Sequence, residues 1–278
     1  MPDAAAPSSS PETSDPGPFP VARELLRFSW RLYLAEETPR VLLLSKLPRA
    51  VLQAVFYTLL VGLRPAAGLD VAAAREAAFT GVSAFVMCLS TVVGVSGVQP
   101  LDRDERTLAA LLVGRVPVLR VLLARYLPYA AEGLLLSLGT VVLAGPVLTG
   151  TATAAQLLAR TGVYTVMALT TLCVGAAVGA LALLGRSELL YGNAALYLVL
   201  VLSGAVPAPG LPGWTGTVAG LLPLTHGIEA LHRSLDGEPV AGQLLAELGV
   251  GALWLAAVVG LVRLWALRTR RNGHADGG

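Results

Sequence analysis

Six long stretches of this chain carry no charged side chain, and that pattern leaves few folds open to it. The stretches run from Glu76 to Asp102, Glu132 to Arg160, Arg160 to Arg186 and Glu188 to Glu229, with shorter ones from Arg49 to Arg64 and Glu247 to Arg263. An apolar run of about 18 residues or more crosses the roughly 30 Å hydrocarbon core as a helix. The two shorter runs reach across if flanking Arg and Lys side chains snorkel to the headgroups. The chain therefore reads as an all-α polytopic membrane protein with six transmembrane helices. They are expected at about 41–63, 78–98, 119–143, 161–184, 189–206 and 244–267, with Gly145-Pro146 turning the chain after the third.

Composition supports this and excludes a water-soluble domain. Only 14% of the residues are charged and 55% are hydrophobic, whereas a soluble domain carries about 25% charged residues. Lys46 is the sole Lys, and the excess of Ala, Gly, Leu and Val over it points to a GC-rich bacterial genome. Residues 1–19 are rich in Pro, Ser and acid, with no basic segment leading into an apolar core. They read as a disordered tail rather than a signal peptide, and 272–278 as a second tail. Residues 20–271 form the membrane domain. Cys88 and Cys173 fall inside expected spans at no metal-ligand spacing, so they read as packing residues.

Orientation follows from the positive-inside rule. Six spans put both termini on one side. That side collects the basic residues Arg23 to Arg49, Arg103 to Arg125, Arg186 and Arg263 to Arg271. The other side holds only Arg64, Arg75, Arg160 and Arg233. Both termini are expected in the cytoplasm of a bacterial plasma membrane.

Three connecting segments look specialised. Val21, Leu25, Phe28 and Leu32 recur at helical spacing with charge on the other faces, predicting an amphipathic interfacial helix over 21–34. Between spans two and three, acids crowd the start and Arg residues the end of DRDERTLAALLVGRVPVLRVLLAR. That distribution complements a helix dipole and predicts a short helix near Asp104 to Val113, a charged lever for a soluble partner. Between spans five and six, Pro207, Pro209, Pro212 and Pro223 break an apolar segment. Two short helices are expected there, about Trp214 to Leu222 and Thr225 to Ser234. Backbone breaks at membrane depth need cover, so a re-entrant hairpin on the outer face is the expected form.

These residues resemble the ABC transporter permeases of the type-2 class. The resemblance rests on Glu105-Arg106-Thr107-Leu108 followed by Leu111-Leu112 and Val116-Pro117. It rests also on Leu211-Pro212-x-Trp214 and on Leu222-Pro223-Leu224-Thr225-His226-Gly227-Ile228-Glu229-Ala230-Leu231. Arg106 stands where that family has Gly. The resemblance implies a coupling helix of Asp104, Glu105, Arg106, Thr107, Leu108, Leu111 and Leu112 docking on a cytoplasmic ABC ATPase subunit. It also implies an outer gate containing Trp214, Pro223, His226 and Glu229, and pairing with a second permease copy in the lipid bilayer. The exported substrate is a drug, antibiotic or lipid-like molecule. No Gly-x-x-x-x-Gly-Lys-Ser/Thr occurs, so ATP and Mg are expected on the partner subunit. No cofactor, metal or nucleic acid is expected on this chain.

Two rivals come from other classes. An intramembrane enzyme would need convergent ligands, but His226 and His232 are six apart and fall on different helix faces. An ATPase-independent transporter or channel would need ionisable groups at the midplane. Glu132 is the one acid well inside a span. It reads either as a proton or substrate site or as a carboxylate bonded to a neighbouring Tyr, Ser or Arg. Glu229 and Glu247 read as solvated acids near the outer interface.

Overall fold

A computed structural model describes residues 18–63, 70–104, 117–185, 187–206 and 212–273. Helices account for nearly all of them. In chain order they are α1 Pro18–Glu36, α2 Pro39–Gly62, α3 Val71–Asp104, α4 Val118–Leu148, α5 Thr151–Ala159, α6 Thr161–Leu184, α7 Glu188–Leu202, α8 Trp214–Ala219, α9 Thr225–Leu235 and α10 Ala241–Gly273. α1 and α10 each run two residues into the stretches expected as tails.

Five helices are long and apolar enough to cross a membrane: α2, α3, α4, α6 and α10. The expected fifth span is the exception. α7 has 15 residues, a rise of roughly 22 Å and thus short of the hydrocarbon thickness. It stops at Ser203, and Gly204 follows at φ 81°, a backbone conformation that ends a right-handed helix.

α3 and α6 form the centre. In each, 78% of the most apolar window is buried, against 17% for α2 and 22% for α10. The outer pair therefore presents most of its surface to surroundings outside the subunit. Gly175 and Gly179 of α6 make the central contact possible. A Cβ on Gly179 would stand 2.9 Å from the Ser96 carbonyl oxygen, and one on Gly175 would stand 3.0 Å from Val95 Cβ. Small residues one turn apart let two helix backbones approach this closely. Toward the α1 end of this core, the buried Gln99 amide donates to the Tyr126 hydroxyl of α4 and the Ala176 carbonyl of α6. It ties three helices at one level.

Two turn expectations need correction. Gly145-Pro146 does not turn the chain, because α4 continues to Leu148. Gly145 instead gives α5 room: a Cβ there would come within 2.9 Å of Ala154 Cβ. The reversal is made by Gly150 at φ 93°, open to glycine at little steric cost, and α5 follows it. The second correction concerns Asp104. It does not open a separate interfacial helix but is the last residue of α3, which runs through Pro100 without breaking. The helix carries on past the apolar run, so the first charges do not mark where it stops.

α1 packs on α4. Tyr33 meets Tyr129 edge to face, with ring centres 5.2 Å apart. Thr38 then breaks the helix and starts the next: its hydroxyl accepts from the Val41 amide, with Pro39 at the first helical position. Within α2, residues Leu42–Lys46 form a π turn. Such turns concentrate at functional positions, and this one ends on Lys46.

Candidate functional site

Polar side chains gather at two places on different sides of the middle of α3, one reaching toward the α9 end of the bundle and the other toward the α1 end. The first is α9 and the turn before it. Leu224 precedes α9 at φ 74°, a left-handed conformation costly for a non-glycine residue. Its side chain is fully buried. The Glu247 carboxylate of α10 holds this turn. Oε1 accepts from the Leu224 amide at 2.9 Å and from the Thr170 hydroxyl at 2.6 Å, while Oε2 accepts from the Gly227 amide at 2.9 Å. Those amides belong to the unsatisfied first turn of a helix, where a negative charge also complements the dipole. Glu247 is thus a helix cap supplied by another helix. It is fully buried, which corrects its reading as a solvated acid.

The other end of α9 is held by charge of the opposite sign. Arg160, between α5 and α6, donates from Nε to the Ser234 hydroxyl and from Nη2 to the Ser234 carbonyl, both at 2.6 Å. A cation at a helix C-terminus is favourable. Both ends of α9 are therefore capped by side chains from outside it. Its buried face, Gly227, Ile228, Ala230 and Leu231, lies on the bundle, and a Cβ on Gly227 would strike Met167.

Of the residues expected in this gate, Pro223 is buried in the turn, and His226 lies half-buried with Nε2 3.2 Å from the Gly220 carbonyl. Trp214 is 66% exposed, and Glu229 is exposed and paired with Arg233. The four share a segment without converging on one point. His232, on the same helix, has its pKa lowered by burial, with Glu229, Asp236 and Glu76 pulling the other way.

The second place surrounds Glu132. This carboxylate is buried and accepts from the Tyr33 hydroxyl at 2.7 Å, the Lys46 ammonium at 2.9 Å and the Ser90 hydroxyl at 2.9 Å. Lys46 lies equally close to Glu37, at 2.8 Å. One ammonium thus sits between two carboxylates, and α1, α2, α3 and α4 all contribute. Burial and the Glu132 carboxylate push the Tyr33 phenol well above its usual range, which keeps it a donor. Of the two sequence readings of Glu132, the bonded one describes this geometry, with Lys46 in the place foreseen for Arg.

A cavity of about 610 Å³ opens beside this cluster. Its α3 wall runs from Val86 to Leu101, a length of roughly 22 Å. Arg49, Gln53, Arg125 and Tyr129 join the wall with Glu36 and Glu37. Of the expected coupling residues, Glu105, Arg106, Thr107, Leu108, Leu111 and Leu112 lie outside the described residues. Asp104 is placed only as the end of α3.

Residues 25–235 match the family described as ABC-2 type transporter. The matched segment runs from within α1 to the end of α9, from the Tyr33–Glu132 contact to the capped helix. The chain belongs to the ABC-2 type transporter family. No curated protein matches it closely enough to add a relative. Membership makes it the membrane domain of a transporter, and the helices make it multi-pass. Within this ABC-2 chain, the polar residues that sequence reasoning missed are Glu247, Arg160, Lys46 and Ser90. A signal for one was present: Glu247 is the only acid between Glu238 and Asp276, seven residues inside α10. The others gain meaning only from their distant partners.

Proposed function

We propose that this chain is the permease subunit of an ATP-driven exporter, working with a separate ABC ATPase that binds ATP and Mg. Two permease copies and two ATPases make the working unit. In this reading α7 is completed as a sixth span by the residues after it, both termini are cytoplasmic, and α8 and α9 form a re-entrant hairpin on the outer face. The charge division supports the orientation, since the α1 end carries most of the Arg residues.

The observation that carries the reading, within a chain of this family, is the contrast between ends. The α9 end is closed by Glu247 and Arg160. The α1 end holds a cavity between helices. That is the shape of an exporter waiting for cargo: loaded from the cytoplasm or inner leaflet, sealed outward. Closure of the ATPase dimer pushes the segment from Asp104 to Val113. Because that segment joins α3 to α4, the push moves both helices lining the cavity. The caps on α9 then yield and an amphipathic or hydrophobic substrate leaves outward.

The test is reconstitution with an ABC ATPase, sought first in the adjacent reading frame. Glu105→Ala and Arg106→Glu are expected to abolish substrate-stimulated ATP hydrolysis and export while leaving membrane insertion unchanged. Full transport and stimulation in both variants would overturn the coupling assignment. Transport by this chain with no ATPase present would favour the secondary-transporter alternative instead.

A further inference from the structure

Two polar side chains near the cavity have no hydrogen-bond or ion-pair partner among the described residues. Arg49 and Gln53 stand one turn apart on α2 and line the cavity beside Glu132. They also border an open patch of the same helix, together with Leu44, Leu52, Phe56 and Tyr57. Every carboxylate in the first cavity already accepts a hydrogen bond: Glu36 from Tyr129, Glu37 from Lys46, and Glu132 from three donors. Lys46 is shared by two of them, and Arg125 has an interaction of its own. Among the described residues lining the cavity, the charge left unmatched is the Arg49 guanidinium.

Its position makes that costly. Arg49 stands ten residues beyond Pro39, roughly 15 Å along α2, well inside a helix long and apolar enough to cross a membrane. A cation at that depth is expensive unless an anion or water reaches it. Leu52 and Phe56, 68% and 60% exposed, continue the helix face as open apolar surface that a hydrocarbon tail can cover.

We infer that Arg49 and Gln53 bind the anionic head of an amphiphile whose tail lies along Leu52 and Phe56. Arg supplies a fork that matches phosphate or carboxylate in two hydrogen bonds, and the Gln53 amide adds a further donor. The exposed Leu52 and Phe56 beside the cation favour an anion that carries a tail. This deepens the exporter reading by naming a substrate class and rests on it only for the direction of movement; the binding itself needs no ATPase.

The experiment measures binding to the purified full chain in neutral detergent by native mass spectrometry. Its probes are dioleoyl phosphatidylglycerol, oleate, dioleoyl phosphatidylcholine and glycerol phosphate. The wild-type chain is expected to retain phosphatidylglycerol or oleate over phosphatidylcholine, and glycerol phosphate not at all. Whichever anionic probe binds more tightly distinguishes a phosphate from a carboxylate head. Arg49→Ala is expected to weaken that binding about ten-fold or more, as loss of a charge-assisted pair does, and Gln53→Leu less. Arg40→Ala, which removes a cation lining neither the cavity nor the patch, is expected to leave binding and melting temperature unchanged. Equal binding by wild type and Arg49→Ala would overturn the site. So would an equal loss in Arg40→Ala, or a loss of dimer in Arg49→Ala with lipid retention intact, which would assign the face to a second copy. Failure of the Glu105 and Arg106 variants to uncouple transport, with Arg49-dependent binding preserved, would sink the exporter reading and leave this site standing.

Discussion

The two ends of this bundle handle charge in opposite ways. At the α9 end, Glu247 and Arg160 each meet the helix terminus whose dipole they complement, and neither is left over. At the α1 end, Lys46 is divided between two carboxylates, while Arg49 has no partner among the described residues. The first arrangement locks a short helix; the second holds four helices around an open space. Charge at the α9 end goes into closing a surface, and charge at the α1 end goes into keeping a cavity polar. A transporter needs one end able to stay shut while the other admits cargo, and these ends differ in that respect.

The comparison can be broken most directly at Glu247. Glu247→Ala leaves the buried Leu224 and Gly227 amides without acceptors, at about 1–3 kcal/mol each, so a loss of roughly 4 kcal/mol is expected. Labelling of Ala230→Cys by an impermeant maleimide, in a background lacking Cys88 and Cys173, should rise with it. Unchanged labelling would mean that the cap does not hold α9. Next comes Lys46→Met, which strips a buried carboxylate of its counter-charge. Because Lys46 is partly exposed, the expected cost is about 3 kcal/mol, the low end for a broken buried pair. Adding Glu132→Leu should restore most of the melting temperature; no restoration would show that packing rather than charge sets this site.

Gly179→Leu probes the shared centre between the two ends. Its side chain would meet the Ser96 backbone of α3, and overpacking of this kind costs about 2 kcal/mol, measurable by thermal unfolding in detergent. Arg160→Gln removes only the C-terminal charge of α9 and is expected to cost about 1 kcal/mol. A loss as large as that of Glu247→Ala would mean the two ends of α9 are held equally. The smallest effect is the pH response of His232. Burial favours its neutral ring, so its contribution is complete above the ordinary value of about 6.5 and is lost as pH falls below it. His232→Asn should flatten that acid-side slope in a melting-temperature profile.

Much of the fold was legible because the bilayer enforces a simple rule. A helix spanning hydrocarbon must be apolar over its length, so uncharged runs located α2, α3, α4, α6 and α10. The same rule misled at their ends. Asp102 and Asp104 looked like the start of a new helix, yet α3 simply continues into them, because loss of hydrophobicity does not break backbone hydrogen bonds. Gly145-Pro146 looked like a turn for a similar reason: Pro within a helix costs one hydrogen bond, and neighbouring helices can cover it. The sites were less visible. Glu132 stood out as a lone acid in a span, but Tyr33 and Lys46 lie 99 and 86 residues away from it in sequence. The segment proposed to couple, near Asp104 to Val113, rests on sequence alone, because amphipathic spacing and charge order are local properties.

By itself the sequence determined that this chain lives in a membrane, where its long helices run, which end gathers positive charge and which family motifs it carries. Those are one-dimensional properties, set by how charge and apolar side chains alternate along the chain. Tertiary structure alone decided that Glu247 caps a helix rather than facing water, that Arg160 holds that helix at its other end, and that Gly175 and Gly179 sit where α6 meets α3. It alone decided that Lys46 is matched and Arg49 is not. The reason is physical. A charge is tolerated at membrane depth according to what stands within about 3 Å of it, and those neighbours come from distant parts of the chain.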